Sequence, residues 1–104
     1  MNDQFIIEMF NSLKKRKNIS KKKSYTAYLI KNPELLGKKM GEEATELIID
    51  FIKKNKDGLI KESADLIYHL LVIWVSAGID PRKVWEELSN RQLKSGFEEK
   101  NGRS

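Results

Sequence analysis

Apolar residues recur along the chain at the spacing of helix faces, and no stretch shows the convincing alternation of a strand. Within residues 3–17, Phe5, Ile6, Met9, Phe10 and Leu13 share one side of a 3.6-residue period and predict an amphipathic helix. Residues 18–23 are polar and basic and read as a loop. A short helix is expected over 24–31, with Ser24 as its cap. Asn32-Pro33-Glu34 joins a capping side chain, a proline suited to a first turn and a carboxylate that complements the helix dipole. A helix therefore starts there and runs to about Lys54. Asp57 is read as the cap of the next one, from Gly58 to Ala77, which Gly78 ends. Asp80-Pro81 opens a last helix to about Lys94, with Val84, Trp85 and Leu88 on one side, and a tail follows from Gly96. The expectation is an all-α single domain spanning 1–104, with four main helices and a short extra helix in the N-terminal half.

The third main helix has an unusual pattern. Leu66, Ile67, Leu70, Leu71, Val72, Ile73, Trp74 and Val75 cover nearly its whole circumference, and a helix apolar all round is buried all round. A small four-helix monomer has difficulty covering it, so a helical-bundle homodimer built across this helix is expected. The alternative is a central helix within one chain. The longest stretch without a formal charge is Leu66–Ile79, fourteen residues, too short for a membrane span of about 20. The N-terminus places its apolar part before its basic part, the reverse of a secretory signal. A cytoplasmic protein without a membrane partner is the expectation.

Composition narrows the chemistry. The chain has 104 residues, enough for one core, and no cysteine, which excludes disulfides, thiolate metal sites and a cysteine nucleophile. With a single histidine, a zinc site would lean on carboxylates, which is unusual. The net charge of +5 is unevenly spread: between Glu8 and Glu34 there is no acidic residue, and eight of the twenty basic residues lie there. The rest carries twelve basic against fifteen acidic residues. A basic strip on an acidic body points to an anionic partner or substrate, or to a solvated lysine-rich connection. A nucleic-acid module would lay basic residues along a helix face; here they cluster in a loop, so no nucleic-acid partner is expected.

Carboxylates border the apolar faces of two consecutive helices. Met40, Ala44, Leu47, Ile48 and Phe51 form one face, with Glu43, Glu46 and Asp50 at i, i+3 and i+7 along its edge. On the next helix Glu62 and Asp65 stand at i, i+3, and His69 is one turn further on. A short link makes the two helices antiparallel neighbours, so the pairs can face each other. Four carboxylates held close repel, and an all-oxygen set of this kind suits Mg²⁺ or Mn²⁺. A pair of glutamates at i, i+3 is also common on solvated helix surfaces, and His69 by itself reads as a core or interface histidine.

The pattern E-E-x-x-E at Glu42–Glu46 followed by E-x-x-D at Glu62–Asp65 resembles the all-α nucleoside-triphosphate pyrophosphatase (MazG-like) superfamily. Within it, Ser24-Tyr25-Thr26 after a basic loop, Lys39–Ala44, Glu62–Leu71, Ser95-Gly96 and Glu99-Lys100 resemble the phosphoribosyl-ATP pyrophosphatases, and the length is that of their stand-alone form. The very Lys-rich stretch 14–23 is a mild departure from the family pattern. The resemblance implies Mg²⁺-dependent hydrolysis of phosphoribosyl-ATP to phosphoribosyl-AMP and pyrophosphate, the second step of histidine biosynthesis. It implies Glu43, Glu46, Glu62 and Asp65 as metal ligands and Glu42 as a carboxylate that orients or deprotonates water. Lys39, Ser24, Tyr25, Thr26, Arg91 and Lys100 become candidates for holding the substrate. The alternative is a related house-cleaning enzyme acting on other nucleoside triphosphates.

Overall fold

The computed structural model describes residues 3–92. Five α-helices follow in order: α1 Asp3–Lys15, α2 Tyr25–Ile30, α3 Pro33–Ile52, α4 Lys56–Ala77 and α5 Pro81–Gln92. A 3₁₀ turn, Arg16–Asn18, tightens the chain after α1, and there is no strand among the described residues. The all-α expectation holds, with four long helices and a short α2. The tail from Gly96, with Lys100, and the expected last residues of α5, Leu93 and Lys94, lie outside the described residues.

Local hydrogen bonds set the helix boundaries. Ser24 caps α2, its Oγ accepting from the Ala27 N–H at 3.2 Å. Asn32 stands at the start of α3 but does not cap it; its Nδ2 donates to the Tyr28 carbonyl at 2.7 Å and ties the end of α2 to α3. The start of α4 corrects the sequence reading. The cap is Asn55, whose Oδ1 accepts from the Gly58 N–H at 3.1 Å. Asp57 lies inside the first turn, where its charge still complements the dipole.

The two central helices end in the same way. Asn55 N–H bonds the Asp50 carbonyl at 2.9 Å and Lys54 N–H bonds that of Phe51 at 3.1 Å; Ile79 and Gly78 repeat the pair on Trp74 and Val75. The motif needs a left-handed residue, which is Gly78 at φ 73° in one case and Lys54 at φ 60° in the other. Lysine there costs about 1–2 kcal/mol relative to an ordinary helical residue. Asn55 also donates from Nδ2 to the Asp50 carboxylate at 3.3 Å, which helps hold the tight link between α3 and α4.

Phe10 and Leu13 of α1, Leu29 of α2, Leu36 of α3, and Leu71, Val72, Trp74 and Val75 of α4 form the core. Val84 and Trp85 of α5 pack against it, Trp85 meeting Trp74 edge to face with ring centroids 5.9 Å apart. In the C-terminal half of α4, Leu71, Val72, Trp74 and Val75 are thus covered by their own chain, while Ile67 of the same apolar stretch is exposed. More uncovered apolar surface lies at the far end of the α3–α4 hairpin, where Ile48, Phe51, Ile52 and Ile60 are exposed. Of the residues expected on buried faces, Phe5 and Leu88 are also exposed. With helices of 20 and 22 residues beside partners of 13, 6 and 12, the hairpin outruns its cover. The radius of gyration is 15.9 Å, against about 13 Å for a compact chain of 100 residues. No single described helix is long and apolar enough to cross a membrane.

Candidate active site

The register of α3 against α4 is fixed at both ends. At the tight link, a Cβ on Gly58 would meet the side-chain ends of Asn55 at 2.6 Å and Asp50 at 2.7 Å, so a larger residue would displace the Asn55–Asp50 contact. At the other end, Leu36 and Gly37 line one shallow cleft with Ile73 and Ser76. Between these points the carboxylates face each other. One oxygen from each of Glu43, Glu62 and Asp65 falls in a set whose members all lie within 4.8 Å of one another. Glu46 is exposed and stands beside Glu62, outside that set. The structure therefore brings together three of the four expected ligands and keeps the fourth adjacent.

The electrostatics match the crowding. Oε2 of Glu43 and Oε2 of Glu62 are fully covered and have no hydrogen-bond partner. Two ionised carboxylates in contact can only repel; if one takes up a proton the contact becomes a hydrogen bond. That contact with Glu43, followed by loss of hydration, raises the Glu62 pKa above 4.5. Glu46 is likewise raised above 4.5, first by its contact with Glu62 and then by the charge there. Covered, unpartnered carboxylate oxygens converging on one point fit a hard divalent cation, which would satisfy them without a proton.

The other candidates are placed more diversely. Glu42 is exposed, and its Oε2 lies 3.7 Å from Lys39 Nζ, so the candidate base and the candidate phosphate ligand are partly paired with each other. Ser24 and Thr26 are buried, and their hydroxyls are engaged within the fold: Ser24 caps α2, and Thr26 Oγ1 hydrogen-bonds Tyr68 Oη at 2.8 Å. Tyr25 between them is exposed and stacks nearly parallel to Tyr68, centroids 6.5 Å apart. The Thr26–Tyr68 bond anchors the start of α2, and with it the end of the basic stretch, one turn beyond Asp65 on α4. Sequence reading missed this link, because the partners are 42 residues apart and no local pattern pairs them. Arg91 donates from Nε to Glu87 Oε1 at 3.1 Å along α5. Lys14 and Lys15 close α1, where they complement its C-terminal dipole; Arg16 and Lys17 fall in the 3₁₀ turn and Lys21–Lys23 in the exposed turn before α2.

Comparison with known proteins places the chain in a family. A family model described as phosphoribosyl-ATP pyrophosphohydrolase matches residues 7–92. The chain is 42% identical over 98 residues to a phosphoribosyl-ATP pyrophosphatase of Paramagnetospirillum magneticum, covering 93% of this chain and 90% of that one. It is 41% identical over 96 residues to that of Azospirillum brasilense, covering 91% and 86%. To that of Roseobacter denitrificans it is 43% identical over 96 residues, covering 91% of each.

Proposed function

The chain belongs to the phosphoribosyl-ATP pyrophosphohydrolase family, and we propose that it hydrolyses phosphoribosyl-ATP to phosphoribosyl-AMP and pyrophosphate, in histidine biosynthesis. The observation that carries the reading is the converging set of Glu43, Glu62 and Asp65 across the α3–α4 seam, with two covered oxygens that no group among the described residues satisfies. These residues would hold Mg²⁺ (or Mn²⁺), with Glu46 beside them. When bound, the cation supplies charge neutralisation on the phosphate oxygens and makes a water more acidic. The protein's own contribution is to hold three carboxylates on two rigid helices, so the anionic triphosphate meets a preorganised centre rather than a mobile loop. Glu42, next to Glu43 on α3, is the candidate to orient a water or accept its proton. Lys39 and the Lys21–Lys23 turn are positive groups that would draw the phosphates in, and Tyr25 offers an exposed ring beside them. Arg91 and Lys100 remain further candidates for binding the substrate.

We further propose a homodimer. Ile48, Phe51 and Ile52 of α3 and Ile60 and Ile67 of α4 form an apolar surface that this chain leaves open, and a second copy would cover it. The acidic seam would then lie near the interface.

The test of the activity is pyrophosphate release from phosphoribosyl-ATP, measured against a panel of nucleoside triphosphates with Mg²⁺ and with chelator. Phosphoribosyl-ATP is expected to be the preferred substrate and chelator to abolish turnover. Preference for another triphosphate would move the chain to the house-cleaning alternative, and undiminished turnover in chelator would remove the cation.

A further inference from the structure

His69 is the only histidine in the chain and is 6% exposed. Its Nδ1 lies 2.8 Å from the backbone carbonyl of Asp65. A carbonyl can only accept, so Nδ1 carries the proton and donates. Nε2 is then a lone-pair acceptor, and it is buried with no partner. A second proton there would merely replace an orphaned acceptor by an orphaned donor. Buried polar atoms without partners are uncommon, and each calls for a reason.

Its place on α4 supplies one. Glu62, Asp65, His69, Ile73 and Ser76 follow one stripe at helical spacing. The first two stand near Glu43 and the last two line a cleft with Leu36 and Gly37, so His69 falls on the same stripe between them, one turn beyond Asp65, its ring edge to face with that of Tyr68 at 5.0 Å. A helical side chain leans toward the N-terminus of its helix, here toward Asp65. His69 is not in the set of groups within 4.8 Å of one another, so it is not one of the converging ligands. Glu43 Oε2, Glu62 Oε2 and His69 Nε2 are three buried acceptors without a donor among the described residues. A hydrated divalent cation held by the carboxylates would satisfy all three, with a water it carries available to the imidazole. Mg²⁺ characteristically keeps several of its waters.

We propose that His69 is a positioning residue whose Nε2 accepts a hydrogen bond from a water carried by the cation between Glu43, Glu62 and Asp65. This rests on the cation reading above and adds a tautomer and a partner to it.

The decisive experiment uses the whole wild-type protein labelled with ¹⁵N-histidine, titrated with Mg²⁺ and followed in parallel by thermal melting. One histidine gives one pair of ring nitrogens without ambiguity. Before Mg²⁺, Nδ1 should be protonated and Nε2 bare. Mg²⁺ should move the Nε2 resonance upfield, as accepting a hydrogen bond does, with the midpoint of the melting shift and with the Nδ1 proton retained. A melting shift with Nε2 unmoved, or a proton found on Nε2 instead of Nδ1, overturns the assignment and leaves the cation site standing. No melting shift and no change at Nε2 removes the cation reading itself, and this inference with it. Variants give a second arm: His69→Gln keeps an acceptor near Nε2, while His69→Asn keeps only the Nδ1 donor. His69→Gln should stay within about threefold of wild-type Mg²⁺ affinity and His69→Asn lose about 10–100-fold with its metal-free melting little changed. Equal affinity in the two variants sinks the proposal.

Discussion

The two halves of the α3–α4 hairpin have the same kind of sequence and opposite fates. Toward one end, Leu36, Leu71 and Val72 are at most 2% exposed, packed under α1, α2 and α5. Toward the other, Phe51 is 63% exposed, Ile52 70% and Ile60 68%. Both ends carry stripes of large apolar residues at helical spacing, and nothing local separates them. The difference lies in what packs on each half: among the described residues, α1, α2 and α5 lie against the first and leave the second open. The carboxylates sit between the covered and the open half, rigid enough to be held and open enough to be entered. The molecule thus keeps its stability and its chemistry on one pair of helices, in adjoining segments.

The largest effects should come from the boundary between the halves. Glu43→Gln and Asp65→Asn preserve shape and remove one charge each. Pyrophosphate release should fall by roughly 100-fold or more if these residues hold the proposed cation, since its ligands would be lost. Metal-free stability should hold or rise, because carboxylate repulsion is relieved. Thermal melting with and without Mg²⁺ checks both, and a variant that keeps full activity and the full Mg²⁺ shift would dissolve the site.

Next comes a direct contrast of the halves. Leu71→Ala opens a cavity in the covered core and should cost about 2–5 kcal/mol in denaturant titration at any protein concentration. Phe51→Ala removes a side chain that the single chain scarcely buries. If a second copy covers it, the variant should lower the melting temperature in a manner that depends on protein concentration and should shift sedimentation toward monomer. A wild-type protein that sediments as an active monomer, with Phe51→Ala neutral at every concentration, would show that the open half needs no partner.

The smallest expected effect is the pH dependence of the boundary. Glu46 and Glu62 have folded-state pKa values above the ordinary 4.5. Such groups hold a proton more tightly folded than unfolded, so their contribution is full below about 4.5 and is lost as pH rises through the raised values. Asp80 has the opposite sign: its hydrogen bonds and charge pairing with Arg82 hold it below 3.8, so its contribution is lost only as pH falls toward acid. Melting without divalent cation, compared between wild type and a Glu46→Gln, Glu62→Gln double variant, isolates the first effect. The variant should gain on wild type as pH rises from 4.5 toward neutrality, and Mg²⁺ should favour wild type increasingly over the same range, since the cation needs ionised ligands. A constant difference across that range would show that Glu46 and Glu62 do not interact in the folded chain.

Much of this protein is determined locally and was therefore legible in its sequence. Periodicity alone gives the all-α class and the five helices, because a helix face is defined by neighbours three and four residues away. Ser24, Pro33 and Gly78 mark their boundaries for the same reason, each acting within its own turn. Paired carboxylates on consecutive helices were visible as a stripe on each. The cap at Asn55 rather than Asp57 was less legible, since both residue types suit the role and the choice depends on how the link to α3 closes. Tertiary structure decided the rest. It selected Glu43, Glu62 and Asp65 as the converging set and left Glu46 beside it, because convergence depends on the rotation of one helix against another, which no spacing along one chain encodes. It joined Thr26 to Tyr68 and buried His69, Leu71, Val72, Trp74 and Val75 of α4 while leaving Ile67, Phe51 and Ile52 open. An apolar stripe states only that something must cover it; the lengths and directions of the other helices decide what does.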